Sequence, residues 1–385
     1  MRKTLLVALL FATPLFAACT ENVRSGSDSG DARTIAVTST DDGCEVSSSE
    51  APSGSLTFDV TNDGSTVTEF YLFGEDGKRI VGEVENIGPG LSRQLVVAAS
   101  AGTYVTACKP GMKGDGIRAD FTVTKSDQEP TVSAGTDEQV DRALTRYEEY
   151  VREQSGQLVA KTKQFVALYE RGDDAAARAL YPAARTHWER IETVAESFGD
   201  LDPKTDAREA DLEPGQKWTG WHRIEKDLWP PASGYRPLTT EQRAFYADDL
   251  LRNTETLDGR IQQLTYTVDQ IANGSRGLME EVAKGKVTGE EEIWSHTDLW
   301  DFQANVDGAH EGFEYLEPIL AQKDPELLET LDDRFAALQK LLDAQRTDDG
   351  FVPYDQLSRD EVKQLANAVN ALAEPLSELT AAVLS

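Results

Sequence analysis

Between residues 34 and 124 apolar and polar positions alternate in short runs. Leu56-Thr57-Phe58-Asp59-Val60, Phe70-Tyr71-Leu72-Phe73, Leu95-Val96-Val97, Thr103-Tyr104-Val105 and Phe121-Thr122-Val123 are separated by breaks such as Asn62-Asp63-Gly64 and Pro89-Gly90. A period of two sends alternate side chains to opposite faces, so these runs predict strands, and their spacing predicts a β-sandwich of about 90 residues. Residues 126–138, with Pro130, Ser133 and Gly135, read as a linker. Beyond them the period becomes helical. Val140, Leu144, Tyr147, Val151, Leu158, Thr162, Phe165 and Tyr169 advance by threes and fours with one gap. Further stripes are Leu250, Leu257, Ile261, Leu264 and Val268; Leu328, Leu331, Phe335, Leu338 and Leu342; and Val362, Leu365, Val369, Leu372, Leu376 and Leu379. Long amphipathic helices joined by short loops predict a helical bundle domain. A short echo, Trp188-Glu189-x-Ile191-Glu192 against Phe313-Glu314-x-Leu316-Glu317, with Asp202-Pro203 and Asp324-Pro325 downstream, points to two related four-helix bundles.

Composition narrows the function. The 385 residues carry 68 Asp+Glu against 38 Lys+Arg, a net charge of -30 that repels nucleic-acid phosphate and draws cations. No nucleic-acid partner is expected. With 3 cysteines the chain cannot build a four-thiolate zinc site. The start reads as an export signal: Arg2 and Lys3, an apolar run to Phe16, then Ala17-Ala18 before Cys19. Leu15-Phe16-Ala17-Ala18-Cys19 resembles a bacterial lipobox, which makes Cys19 the expected lipidation site. The expected organisation is a signal over 1–18, a tether over 19–33, the β domain over 34–125, the linker over 126–138 and the helical domain over 139–385. The product is exported to the cell surface or periplasm, anchored to a bacterial membrane through its lipid.

The candidate chemistry sits mostly in the helical part, where all 4 histidines lie. In Gly220-Trp221-His222-Arg223-Ile224-Glu225 the imidazole and the carboxylate are three apart, so on a helix both leave one face. Glu189 and Glu192, and the acidic approach of Asp206, Glu209, Asp211 and Glu213, supply further carboxylates. Oxygen-rich ligation with one imidazole suits a hard cation such as iron. A second polar cluster runs from Ser295-His296-Thr297-Asp298 through Asp301, Asp307, His310, Glu311 and Glu314, and reads as a second site or a polar interdomain surface. In the β domain Cys44 and Cys108, with Met112 close after the latter, form either a disulfide or a thiolate and thioether metal site. A blue-copper site needs two histidines, and this domain has none.

Several long runs carry a resemblance. Thr68-Glu69-Phe70-Tyr71, Arg79-Ile80-Val81-Gly82-Glu83-Val84-Glu85-Asn86-Ile87-Gly88-Pro89-Gly90 and Thr106-Ala107-Cys108-Lys109-Pro110-Gly111-Met112 resemble the cupredoxin-like domain of the EfeO/EfeM family. The stretch 188–202, Asp206-Ala207-Arg208-Glu209, the stretch 220–225 and Ser295-His296-Thr297-Asp298-Leu299-Trp300-Asp301 resemble its imelysin-like domain. The resemblance implies a multidomain β plus all-α chain, a cupredoxin-like sandwich followed by an imelysin-like double four-helix bundle. It implies an extracytoplasmic, non-enzymatic component of an Efe-type iron-uptake system, with a membrane permease and a haem-peroxidase-like protein as partners. It also implies a metal site at His222 and Glu225, to which Glu189 and Asp211 are added as further ligands, and a β-domain site of Cys44, Glu69, Cys108 and Met112. Iron is the expected metal, with copper as a redox assistant. The alternative is a zinc-dependent imelysin-like metallopeptidase, for which His-x-x-Glu would hold the zinc; a surface adhesion protein with incidental carboxylates is the third reading.

Overall fold

The computed structural model describes residues 32–126, 137–212 and 215–384. The expected signal over 1–18, Cys19, nearly all of the tether, most of the linker, and Glu213 lie outside the described residues. Among the described residues no helix is long and apolar enough to cross a membrane.

The alternating runs form two sheets. Strands β1 (Thr34–Ser39), β2 (Cys44–Val46), β3 (Glu50–Pro52), β4 (Gly54–Asn62), β5 (Thr68–Phe73), β6 (Ile80–Ile87), β7 (Ser92–Ala99), β8 (Gly102–Cys108) and β9 (Ile117–Thr124) assemble in the orders β2-β1-β4-β7 and β3-β9-β8-β5-β6. Leu56, Phe58 and Val60 of β4 point inward, and the Phe58 ring meets Phe70 and Phe121 from the facing sheet at 5.2 and 5.4 Å between centroids. β1 runs parallel to β4, with Ile35 beside Phe58. A disulfide between Cys44 on β2 and Cys108 on β8 joins the two sheets. Of the two readings of that pair the structure has the disulfide, and in this form neither sulfur is a thiolate. The expectation that they ligate metal is corrected on that ground.

The helical part consists of α1 (Asp137–Glu170), α2 (Asp174–Glu189), α3 (Glu192–Glu196), α4 (Asp202–Thr205), α5 (Trp221–Leu228), α6 (Thr240–Ile261), α7 (Val268–Lys284), α8 (Asp298–Lys323), α9 (Pro325–Asp343) and α10 (Arg359–Leu384), with a small hairpin of β10 (Arg346–Thr347) and β11 (Gly350–Phe351) before α10. The gap in the first stripe is Ser155, buried and donating to Asp258 on α6 at 2.8 Å. The stripe expected over 250–268 is two elements. α6 stops at Ile261, Leu264 sits in the turn, and Val268 opens α7 after Thr267, whose backbone N–H donates to the Gln270 side chain at 3.0 Å. A turn that starts a new helix at the next apolar position keeps the period, which is why the stripe runs on.

Helices α7, α8, α9 and α10 pack on one another as one bundle, and α1, α2, α6 and the short α5 form the other. Both share one continuous apolar core, because α8 also packs against α1 and α2. α8 is covered on most sides, and a helix buried all round shows no stripe. Its Gly308 is needed for close approach, since a Cβ there would stand 2.2 Å from the Arg190 carbonyl oxygen. The polar members of the echo diverge: Glu189 and Glu192 are buried, whereas Glu314 faces solvent beside His310.

The two sheets end at β6 and β7, and α7 lies across both ends. Its residues one turn apart reach the strands' peptide groups. Asp269 accepts from Ala98 N at 2.8 Å, Asn273 donates to Val96 O at 2.9 Å and Arg276 donates to Glu83 O at 2.8 Å. Glu280 pairs with Arg93 at 2.9 Å and Lys284 with Glu85 at 3.4 Å. Covering the edge strands removes their unpaired backbone groups from water.

Candidate metal centre

The centre forms where four stretches converge. The end of α2 supplies Arg185 and Glu189, and the next helix starts with Glu192. Asp206 follows α4, and α5 supplies His222 and Glu225. The loop before α8 contributes Lys286, Glu291 and Glu292, and the first turn of α8 adds Asp298 and Asp301. Gly220 sets α5 in place. It has φ of 89° and lies so close to the preceding segment that a Cβ would be 2.1 Å from the Thr205 carbonyl oxygen. Only glycine tolerates both conditions.

The two ring nitrogens of His222, which is 2 % exposed, face different acids. Nδ1 is 3.3 Å from Glu225 Oε2 and 3.9 Å from Glu292 Oε1. Nε2 is 3.2 Å from Glu291 Oε1 and 3.5 Å from Asp206 Oδ1. Glu225 Oε1 accepts the backbone N–H groups of Trp294 at 2.9 Å and Ser295 at 2.7 Å. Burial and the neighbouring Arg185 disfavour charge on the imidazole, but the hydrogen bonds to Glu225 and Glu291 and the charge of Asp206 outweigh them, and the ring is pushed up to about 9.

Arg185 is the hub. Its guanidinium pairs with Glu189 and Asp206, with Glu292 at 2.6 Å, with Glu291 at 3.5 Å and with Asp301 at 3.6 Å. Lys286 bridges Glu189 at 3.2 Å and Glu192 at 2.8 Å, while Asn305 donates to Glu192 at 2.8 Å. The buried carboxylates outnumber these two cations. Burial first, then repulsion from Glu192, raises Glu189 well above the carboxylate range, and Glu292 is raised well above it by burial and by Glu225. Glu291 goes the other way, since Lys286 and His222 outweigh its burial. Neither oxygen of Asp301 has a hydrogen bond, and burial lifts its carboxyl to about 7.

Such a surplus of negative charge behind few cations can hold a metal ion. Donor atoms of Asp206, His222 and Glu291 lie within 4.8 Å of one another, as do those of His222, Glu225 and Glu292, and those of Glu189, Glu192 and Asp206. One more group, Glu192, Glu196 and Glu281, continues toward the β domain. The donors are oxygens and one imidazole, the set that suits a hard cation.

His222 and Glu225 come together as their three-residue spacing predicts, and Glu189 lies in the same cluster, beside Arg185, Glu192 and Asp206. Asp211 does not: its side chain is 49 % exposed and paired with Arg208 at 2.6 Å, and the link to the centre is Arg208 reaching Glu291 at 3.6 Å. The second polar cluster is no separate site, because Asp298 and Asp301 fold onto the first. His296 lies near Asp355 and His310 near Glu314, both rings about two-fifths exposed. His187 bonds Gln154 at 2.8 Å, outside the centre, and burial with Arg190 lowers it to about 4. In the β domain Glu69 is 2 % exposed and accepts from Tyr71 at 2.7 Å, with the ammonium groups of Lys109 and Lys284 at 3.7 and 3.8 Å. Met112 ends a short turn with φ of 58°. Among the described residues, no donor group of the kind found around His222 includes Glu69, Cys44 or Cys108. Sequence reasoning missed Arg185, Lys286, Glu291 and Glu292; the available signal was Glu290-Glu291-Glu292 running directly into the apolar Ile293-Trp294.

The sequence profile of the Imelysin family matches residues 143–379, and that of the Cupredoxin-like domain matches residues 6–123. The chain is 36% identical over 358 residues to the iron uptake system component EfeO of Escherichia coli O157:H7, covering 91% of this chain and 92% of the relative. The proteins of the same name in Escherichia coli strain K12 and in Shigella flexneri match with the same identity and the same coverage.

Proposed function

The chain belongs to the EfeO family, and from that premise we propose that it captures iron outside the cytoplasm for an Efe-type membrane permease, working beside a haem-peroxidase-like partner. The observation that carries this reading is the buried, carboxylate-rich cluster around a single imidazole. Arg185 and Lys286 neutralise only part of its charge, so a bound cation gains Coulomb energy that water would otherwise screen. The net charge of -30 raises the local concentration of cations and speeds their encounter with the cluster. Lipid attachment at Cys19 would keep the protein near the permease.

Copper-assisted redox chemistry in the β domain has no thiolate to rest on while Cys44 and Cys108 are joined. The β domain's part in the reading is to shield α7 and the acidic groups that continue from Glu192 toward the seam.

The test is calorimetric titration of the chain lacking 1–18 with ferrous iron under anaerobic conditions, ferric citrate, copper and zinc, for wild type and His222→Ala. Saturable iron binding that His222→Ala removes, with folding unchanged by circular dichroism, is the expected result. Binding of zinc alone, together with cleavage of a peptide library, would instead support the metallopeptidase. The absence of any binding would return the chain to the adhesion reading.

A further inference from the structure

We propose that the outward side of α5, with the aromatic residues around it, is a docking face for a partner protein that presents a short acidic segment bearing apolar side chains. The inner side of the helix turns His222 and Glu225 into the centre, so Arg223 and Lys226, three apart and partly buried, leave on the other side. Their charges lie on rings. Lys226 Nζ is 4.6 Å from the Trp294 ring centroid and 5.5 Å from that of Trp218, while the Arg223 guanidinium is 5.5 Å from Trp218 and 5.0 Å from Tyr246. Phe245 meets Tyr246 edge-on at 5.2 Å and carries Lys217 Nζ over its own ring at 3.7 Å. At the two ends Phe245 and Ile293, the latter beside Trp294, are each 41 % exposed, and among the described residues only Leu91 is as open for a large apolar side chain.

Charge decides the occupant. In a chain of net charge -30, Arg223 finds its polar partner in the Tyr235 hydroxyl at 3.3 Å, and among the described residues neither Arg223 nor Lys217 pairs with a carboxylate; Lys226 has Glu209 at 2.7 Å. Tryptophan, tyrosine and arginine beside open apolar side chains are the groups that carry binding energy at protein interfaces, and uncompensated cations among them call for acids on the partner. A second copy docked face to face would set Lys217, Arg223 and Lys226 against themselves. An anionic lipid surface meets the field of the whole molecule, which repels it. A short acidic segment is different, because within a Debye length of about 8 Å it senses the local cations before the distant acids. Seated there it would touch Trp294, whose backbone N–H holds Glu225 at 2.9 Å, so a docked partner presses on the wall of the centre. The face goes beyond iron capture and does not require it.

The test titrates a synthetic peptide of Asp-Glu-Phe repeats into the metal-free chain lacking 1–18, followed through the indole proton–nitrogen signals of its tryptophans. Saturable binding that shifts the Trp218 and Trp294 signals and weakens with salt is the expected result. Lys217→Glu/Arg223→Gln and, separately, Phe245→Ser should each weaken it by about tenfold or more with folding unchanged by circular dichroism. Arg334→Glu/Lys340→Gln on α9 makes the same change in net charge as the first pair and should leave the affinity as it is. Equal weakening by the α9 pair, shifts confined to the other tryptophans, or no peptide binding at all overturns the assignment. Binding to phosphatidylglycerol vesicles, or dimerisation in sedimentation, that Phe245→Ser abolishes while the peptide leaves Trp218 and Trp294 unmoved would hand the face to a membrane or to a second copy, and overturns it too. No metal enters this titration, so its failure is separate from a failure of iron capture, which His222→Ala reads.

Discussion

The Lys286 ammonium stands 2.8 and 2.9 Å from the two carboxylate oxygens of Glu192, across 94 residues of sequence, with both side chains buried. Glu189 flanks the same ammonium at 3.2 Å, so a lysine fills the gap between two acids as a bound ion would. Removing one partner of a buried pair costs about 3–5 kcal/mol, because the other charge stays behind. Lys286→Met should therefore lower the unfolding free energy of the cation-free protein, read from urea titration, by that order, and added zinc should recover part of it. An unchanged stability would mean that Glu192, like Glu189, carries no charge for the ammonium to offset.

A pH dependence follows from the same surplus of buried acid. Burial lifts Asp298 to about 6, Asp301 and Glu281 to about 7, and Asp202 to about 8, each against its ordinary value near 4. The folded chain therefore holds these protons more tightly than the unfolded chain, and stability is lost as pH rises through the folded values. His222, raised to about 9, acts in the same direction above its ordinary 6.5; Glu291, held low, opposes only in acid. The thermal midpoint without metal should fall steadily from about pH 5 to about pH 9, and saturating metal should flatten that slope. A midpoint rising over this interval would contradict the buried, protonated cluster.

Part of this centre was legible in sequence, and the reason lies in what each residue type signals. His222 and Glu225 announce themselves by spacing, and Gly220 by its place before a helix. Arg185 and Lys286 do not, since a cation on a helix or in a turn reads as solvated surface, and only the acids folded around it from distant segments reveal the burial. Asp211 misled because closeness in sequence to Asp206 is not closeness in space; Arg208 takes it outward. The strands of the β domain followed their alternation, whereas α8 went unseen because it is covered on nearly every side. The break between α6 and α7 was written in Thr267-x-x-Gln270, a capping signal masked by the continuing apolar period.

Gly220→Ala should be among the more damaging single changes. The new methyl would meet Thr205 O at 2.1 Å, and the residue would carry a φ of 89° unsuited to alanine. A loss of about 1–3 kcal/mol comes from backbone strain alone. Displacement of α5 should weaken metal binding as well, measured by calorimetry beside the denaturation curve. Wild-type affinity in this variant would show that α5 is placed by other contacts.

Reduction of the Cys44–Cys108 bridge, which closes a separation of 64 residues, should cost about 4 kcal/mol on the chain-entropy estimate. Differential scanning calorimetry with and without reductant would show an earlier transition for the β domain. Copper bound only after reduction would assign the freed thiolates a role that the oxidised pair does not have.

The reach of α7 across β6 and β7 also bears on solubility. Expressed alone, the β domain would offer water two bare strand edges, β6 from one sheet and β7 from the other, each a template for pairing with a second copy. The helical domain freed of its partner would instead display Asp269, Asn273, Arg276, Glu280 and Lys284, a polar stripe with nothing to aggregate around. Since α7 grips mainly peptide groups, the strands could be recut with other side chains and still dock, which makes this seam a natural place to graft one sandwich for another.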